Sequence, residues 1–349
     1  MTDVPLRRVC IVMMSAVGDA VHVLPVINAL KRHAPGVHIT WIVQPGPAAL
    51  VRGHRSVNEI LIFDRARGWK AFADVRRQLA GRAFDLVINL QVYFKAGIVT
   101  WFTGAPVKLG FDRARARDFN WLFTTDRIPP HAVQHVQDQY FEFLAALDIS
   151  PEPITWELGP WPAERAWQRQ FMTPFERPIA SIVVATSKPE KDWIPERWAD
   201  VADVLYHDFG LEPVLVGGRS PRELDAEAVI LRRARHAPHS ALGSGLRNLV
   251  GILDASALVL TPDTGPLHMS VALDRPVISL LGYSNPKRTG PYRKYHDLMI
   301  DAYAEPEEDY RITMENRRMR MPRIGVRDVL DRVDRWRTTY QSSVTGPKV

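Results

Sequence analysis

Val9-Cys10-Ile11-Val12-Met13-Met14-Ser15-Ala16-Val17-Gly18-Asp19-Ala20-Val21-His22-Val23-Leu24-Pro25 is the stretch on which the reading of this chain turns. A short apolar run rich in β-branched residues gives way to small residues, and then to apolar positions at helical spacing. Strand, tight turn and helix together open a parallel α/β unit and set one carboxylate, Asp19, at the helix start. In such folds ligands gather outside the carboxyl ends of the strands. A second stretch, Ala257-Leu258-Val259-Leu260-Thr261-Pro262-Asp263-Thr264-Gly265-Pro266-Leu267-His268, repeats the arrangement far downstream. Two such turns, one in each half, imply a two-lobed enzyme whose substrates meet in a cleft.

Outward from these turns, strands and helices alternate. Strand patterns cover 9–14, 38–44, 59–63 and 84–90, with helical patterns at 21–33, 69–79 and 133–147. Ser150-Pro151-Glu152-Pro153 and Gly159-Pro160-Trp161-Pro162 read as a linker region. The alternation then restarts, with strands at 179–185, 213–216, 257–261 and 277–281. Helices are expected at 196–206, 223–235, 246–253 and 266–273, and an amphipathic helix at 326–340 closes the chain. Strand–helix alternation implies parallel sheets covered on both faces. Two Rossmann-like domains, 1–160 and 161–325, are expected rather than one large sheet.

The 349 residues are long for a single core, and 46% hydrophobic with 24% charged is an ordinary soluble composition. No apolar run reaches the roughly 18 residues of a membrane-spanning helix. Arg7 and Arg8 lead straight into a strand, unlike a signal peptide. The single cysteine, Cys10, excludes a disulfide framework, fits a reducing cytoplasm and reads as a buried small hydrophobe. A net charge of +6 and a pI near 9.5 favour phosphates, anionic lipid or nucleic acid. Nucleic acid ranks last, because the arginines are scattered and neither zinc spacing nor a recognition motif occurs. Peripheral contact with an anionic membrane surface stays open.

Three constellations carry chemistry. In the turn at 261–268, Asp263 or Thr264 can cap the helix and Pro266 has no amide to leave unpaired. Gly265 admits a ligand close to the backbone, and the helix dipole favours a phosphate there. An ordinary capped helix with a solvated His268 is the alternative. Ala185-Thr186-Ser187-Lys188-Pro189-Glu190-Lys191-Asp192-Trp193 follows a strand, and its two hydroxyls and two ammonium groups suit a diphosphate. A polar surface loop is the alternative here. Asp19 can take a proton from an attacking hydroxyl, or serve only as a helix cap. His22 lies on the same helical side and is expected either to contact substrate or to be structural. The chain has no G-x-x-x-x-G-K, G-x-S-x-G or H-E-x-x-H, and Gly243-Ser244-Gly245 only half-matches a dinucleotide motif. No Asp-x-Asp occurs, so charge on a leaving diphosphate is expected to be met by cations and helix amides, without a metal.

Taken together these motifs resemble the heptosyltransferase family, glycosyltransferase family nine. Gly18-Asp19-Ala20-Val21-His22-Val23-Leu24-Pro25 and His38-Ile39-Thr40-Trp41-Ile42-Val43 resemble its opening. Asp85-Leu86-Val87-Ile88-Asn89-Leu90-Gln91 with Lys95 resembles a second signature. Asp263-Thr264-Gly265-Pro266-Leu267-His268-Met269 and Gly282-Tyr283-Ser284-Asn285-Pro286-Lys287-Arg288-Thr289-Gly290 resemble its diagnostic C-terminal segments. The likeness covers nearly the whole chain. It implies a GT-B architecture, two Rossmann-like domains with parallel sheets facing a central cleft, and a C-terminal helix within 326–349 that packs back on the N-terminal domain before a tail. It also implies inverting transfer of a heptose from ADP-heptose to a lipopolysaccharide core acceptor at the cytoplasmic face of the inner membrane, with no cofactor and no nucleic-acid partner. By that likeness Asp19 matches the catalytic base, and Thr186, Ser187 and Lys191 match a diphosphate loop in which Lys191 stabilises departing ADP. Asp263, Thr264, Gly265 and His268 fall in the donor-binding segment. His22, Lys95, Arg113, Arg115 and Arg117 are expected to meet the anionic acceptor, a solvated basic loop being the alternative for Arg113 to Arg117. Met13 stands where several members carry a lysine, and Thr261-Pro262 replaces a small or apolar pair. The rival functions are transfer from another nucleotide sugar, nucleotide-sugar epimerisation, and non-catalytic binding of nucleotide or lipid.

Overall fold

In a computed structural model, which describes residues 4–341, the chain builds two compact units that divide at Leu158/Gly159. The first contains β1 (Arg8–Val12), α1 (Val17–His33), β2 (His38–Val43), α2 (Pro45–Val51), β3 (Glu59–Ile62), α3 (Lys70–Leu79), β4 (Leu86–Asn89), α4 (Phe94–Phe102), β5 (Val107–Gly110), β6 (Asp126–Arg127) and α5 (Val136–Ala146). Its strands run in the order β3-β2-β1-β4-β5-β6 and pair in parallel, Ile11 lying between Trp41 and Ile88. Val9 to Val12 have no exposed surface, as expected of a central strand with helices over both faces. Cys10 is among them, and burial pushes its thiol pKa well up, in keeping with a small buried hydrophobe.

The second unit contains α6 (Pro162–Met172), β7 (Ile179–Val183), α7 (Pro195–His207), β8 (Glu212–Val216), α8 (Pro221–Arg233), β9 (His239–Ser240), α9 (Leu246–Ala255), β10 (Leu258–Pro262), α10 (Gly265–Ala272), β11 (Val277–Leu281), α11 (Pro286–Thr289), β12 (Ile300–Asp301) and α12 (Val326–Thr339). Its sheet order, β12-β11-β10-β7-β8-β9, repeats the wiring of the first. In each unit the order reverses between the first and fourth strands, β1/β4 and β7/β10. Doubly wound sheets bind ligands at this reversal, because the loops leaving the two strands part there and open a crevice.

Several elements differ from expectation. α1 starts at Val17 rather than 21, because the Asp19 carboxylate reaches back to accept from the Ala16 N–H at 2.8 Å and satisfies a first-turn donor. α4 was not anticipated: its sequence, FKAGIVTWF, is apolar at most positions and so lacks the polar face that marks an amphipathic helix. Gly159 to Pro162, in the expected linker region, is held in place. Pro162 begins α6, Glu164 accepts from the Trp161 N–H at 2.7 Å, and the Arg247 guanidinium stacks 3.6 Å from the Trp161 ring centre. Ser150 to Pro153 is tied down too, with Arg32 donating to the Pro151 carbonyl at 2.9 Å. Within the second unit α12 packs on α7 and β11, and the buried Trp336 donates to the Ala257 carbonyl at 3.2 Å. The expected tail, 342–349, lies outside the described residues.

Candidate active site

At the reversal point of the first unit, the loop leaving β1 is fixed by the loop leaving β4. Gln91 accepts from the Met14 N–H at 3.1 Å and donates to the Ser15 carbonyl at 2.9 Å. α1 then presents Asp19 in its first turn, where the helix dipole favours an anion. One Asp19 oxygen takes the Ala16 amide and the other accepts from the Tyr140 hydroxyl of α5 at 3.1 Å. These two donors orient the carboxylate.

The expected acceptor residues do not share one environment. His22 is 4% exposed and sits in the seam between α1 and α5. Its Nδ1 lies 3.0 Å from Gln137 Oε1, and Gln137 Nε2 donates to the His22 carbonyl at 2.8 Å. Gln137 thus engages both the ring and the carbonyl of His22, in line with the structural alternative. Arg115 is engaged within the unit as well. Its guanidinium pairs with Asp112, with Glu142 at 2.6 Å, and with the Pro129 carbonyl at 3.2 Å. Buried charges are tolerated when their donors are satisfied in this way. Lys95 and Arg113 are exposed, the latter with its guanidinium 4.4 Å from the Trp121 ring centre. Arg117 is exposed and its amide donates to the Val92 carbonyl at 2.8 Å, which joins this loop to the one leaving β4.

In the second unit the loops leaving β7 and β10 come together at the equivalent point. The Lys191 ammonium lies 2.6 Å from Asp263 Oδ2 and 3.3 Å from the Asp263 carbonyl, with both side chains largely buried. The Thr289 hydroxyl donates to the same carboxylate at 3.3 Å. Thr264 occupies the cap position of α10 without a side-chain hydrogen bond, so the carboxylate holds Lys191 and is not the helix cap. Gly265 is the first residue of α10 and Pro266 the second, which leaves few first-turn amides to satisfy. His268, one turn in, is 9% exposed, so the solvated-histidine alternative does not hold.

Thr186 plays a different part from the one expected. Its amide donates to Asp192 Oδ1 at 2.6 Å and its hydroxyl donates within the same loop, to Asp192 at 2.8 Å and the Lys188 carbonyl at 2.7 Å. Arg222 of α8 braces both, donating to Asp192 Oδ2 at 2.6 Å and the Thr186 carbonyl at 2.7 Å. Burial pushes the Asp192 carboxyl pKa up, and the Thr186 hydrogen bonds and Arg222 oppose that rise. Thr186 therefore shapes the loop, while Ser187 and Lys188 are exposed on it and the Lys188 ammonium lies 5.5 Å from the Tyr283 ring centre. Sequence reasoning missed Tyr140, Gln91, Asp192 and Arg222. Met13 is 2% exposed and supplies no cation. Among the described residues no three His, Cys, Asp or Glu side chains cluster as a metal site requires, and no helix is long and apolar enough to cross a membrane.

The arrangement provides an oriented carboxylate in one unit and, in the other, a held ammonium beside a helix N-terminus, which suits proton removal and anion stabilisation respectively. Comparison with known proteins places the chain in a family. The model of glycosyltransferase family 9 (heptosyltransferase) matches residues 72–317. A lipopolysaccharide core heptosyltransferase, OpsX of Haemophilus influenzae, is 31% identical over 305 residues, covering 87% of this chain and 86% of the relative. Among solved structures, a family 9 glycosyl transferase from Veillonella parvula superposes with a TM-score of 0.80 at 21% identity, covering 96% of this chain and 98% of its own. The Escherichia coli heptosyltransferase WaaC with ADP gives 0.72 at 24% identity, covering 96% and 99%. The twin sheets are thus those of a GT-B fold, and with its signature turns at both reversal points the chain belongs to glycosyltransferase family 9, the heptosyltransferases.

Proposed function

We propose that this enzyme transfers a heptose from ADP-heptose to a lipopolysaccharide core acceptor, with inversion at the anomeric carbon and without a metal, in the cytoplasm at the inner membrane. The observation that carries the reading is the carboxylate of Asp19, presented at the β1/β4 reversal and oriented by Ala16 and Tyr140. The acceptor hydroxyl gives its proton to Asp19 as its oxygen attacks the anomeric carbon. The bond from that carbon to the diphosphate breaks on the opposite face, and ADP departs with the electron pair. Lys191, the first turn of α10 and the exposed Lys188 meet the charge that develops on the leaving diphosphate. Asp263 keeps the Lys191 ammonium in place between turnovers. Lys95, Arg113 and Arg117 are assigned to anionic groups of the acceptor, and Arg115 and His22 to the architecture of the first unit.

The donor and acceptor assignments draw on OpsX, a lipopolysaccharide core heptosyltransferase, and on the ADP held by WaaC. A thermal-shift panel of ADP, UDP, GDP and CMP tests the donor, since a ligand that binds only the folded state raises its stability by mass action. ADP is expected to give the largest rise, and a larger rise with another nucleotide contradicts the donor assignment. Transfer from ADP-heptose is expected to persist in excess chelator, with the product linkage inverted by NMR.

A further inference from the structure

The first unit carries an apolar surface that this chemistry leaves unused. α4 buries Ala96, Gly97, Val99 and Thr100, yet its opposite side is also apolar. Phe94, Ile98 and Trp101 recur there at i, i+4 and i+7, forming one outward stripe. Trp101 is 61% exposed, and Trp69, just ahead of α3, is 82% exposed. A cleft of about 230 Å³ joins Trp69 and Phe72 to Phe94 and Ile98. On the other flank, a Cβ at Gly97 would stand 2.4 Å from the Phe123 ring. The missing side chain lets the turn at 120–123 close on α4 and bring the exposed Leu122 alongside. Contiguous exposed apolar surface of this kind marks an interaction site.

The rim of the patch names the partner. Arg65 and Lys95 line the same cleft and Lys70 opens α3. Among the described residues these three cations have no ion pair, whereas Arg67 and Arg77 both hold Asp74. Indole rings suit the boundary between headgroups and acyl chains, and unpaired cations beside them suit lipid phosphates. A second copy of the chain fits worse, because a two-fold contact sets Arg65, Lys70 and Lys95 against the same cations. We propose that this face, centred on Trp69 and α4, docks the enzyme on an anionic phospholipid bilayer. The proposal extends the functional reading, since a lipid-anchored acceptor is presented at such a surface.

The test is co-sedimentation of the full chain with vesicles of phosphatidylcholine alone and of phosphatidylcholine mixed with phosphatidylglycerol. The wild type is expected to sediment with the mixed vesicles, to be released by salt, and to leave the neutral ones. Trp69→Ser/Trp101→Ser is expected to lose at least about tenfold in partition, since each tenfold step needs only about 1.4 kcal/mol. Both indoles are largely exposed, so the melting temperature of the variant should match the wild type. A wild type that stays in the supernatant with mixed vesicles overturns the proposal, as does a double variant that binds equally well. A dimer in sedimentation equilibrium that the double substitution abolishes assigns the face to a second copy and also overturns it. Transfer to a soluble delipidated acceptor, assayed without vesicles, should be the same for both proteins, and failure of the functional reading would show in that assay alone.

Discussion

In the first unit the Asp19 carboxylate is held by a backbone amide and a tyrosine hydroxyl, while in the second the Lys191 ammonium is held by another charge, the carboxylate of Asp263. A backbone amide and a hydroxyl fix the direction of the Asp19 carboxylate, as the assigned base requires. A carboxylate partner holds the largely buried Lys191 ammonium in place, as the group assigned to a leaving diphosphate requires. Both clusters occupy the same point of the same wiring, where strand order reverses. The fold therefore repeats the location, while the loop residues place a carboxylate at one reversal and an ion pair at the other.

The contrast can be broken in three places. Arg115, held by Asp112 and Glu142, is a cation used purely for structure. Arg115→Ala should cost about 3–5 kcal/mol in chemical denaturation, because two carboxylates lose their partner. A normal unfolding midpoint with a raised acceptor KM would return Arg115 to the acceptor site. Lys191→Ala should lower kcat by about 2.7–4 kcal/mol in transition-state terms and weaken ADP binding in calorimetry, since Asp263 is then left as a repelling charge. Unchanged ADP affinity would mean that the ion pair is only a brace. Tyr140→Phe removes one neutral hydrogen bond to Asp19. It should cost about 1 kcal/mol in kcat/KM, roughly fivefold, with ADP affinity unaltered. A larger effect on ADP affinity than on turnover would show that Tyr140 does not act through Asp19.

Much of this was legible in the sequence because it is local. The strands ending near Val12, Val183 and Pro262 are apolar runs, and the residues that matter, Asp19, Lys191 and Asp263, follow within a few positions. What the sequence concealed is long-range. Tyr140 stands 121 residues from Asp19 and Gln91 76 from Ser15, and neither belongs to a motif that announces its partner. The partners of His22 and Arg115 were concealed for the complementary reason. Charge and spacing show that a residue can reach a ligand but not that Gln137, Asp112 or Glu142 already occupies it. Thr186 follows the same logic, its hydroxyl being engaged by Asp192 six residues on. α4 was missed because a helix apolar on both sides has no polar face to detect, and that property is what leaves Phe94, Ile98 and Trp101 on the surface.

Asp19→Asn keeps the size and most of the hydrogen bonding of the side chain while removing its capacity to take a proton, so its single-turnover rate with ADP-heptose and acceptor addresses the base assignment directly. The predicted result is a rate lower by about 10²–10⁴-fold with an unchanged dissociation constant for ADP. Near-wild-type turnover by this variant would contradict the assignment, and a comparable loss of ADP affinity would place Asp19 in donor binding instead.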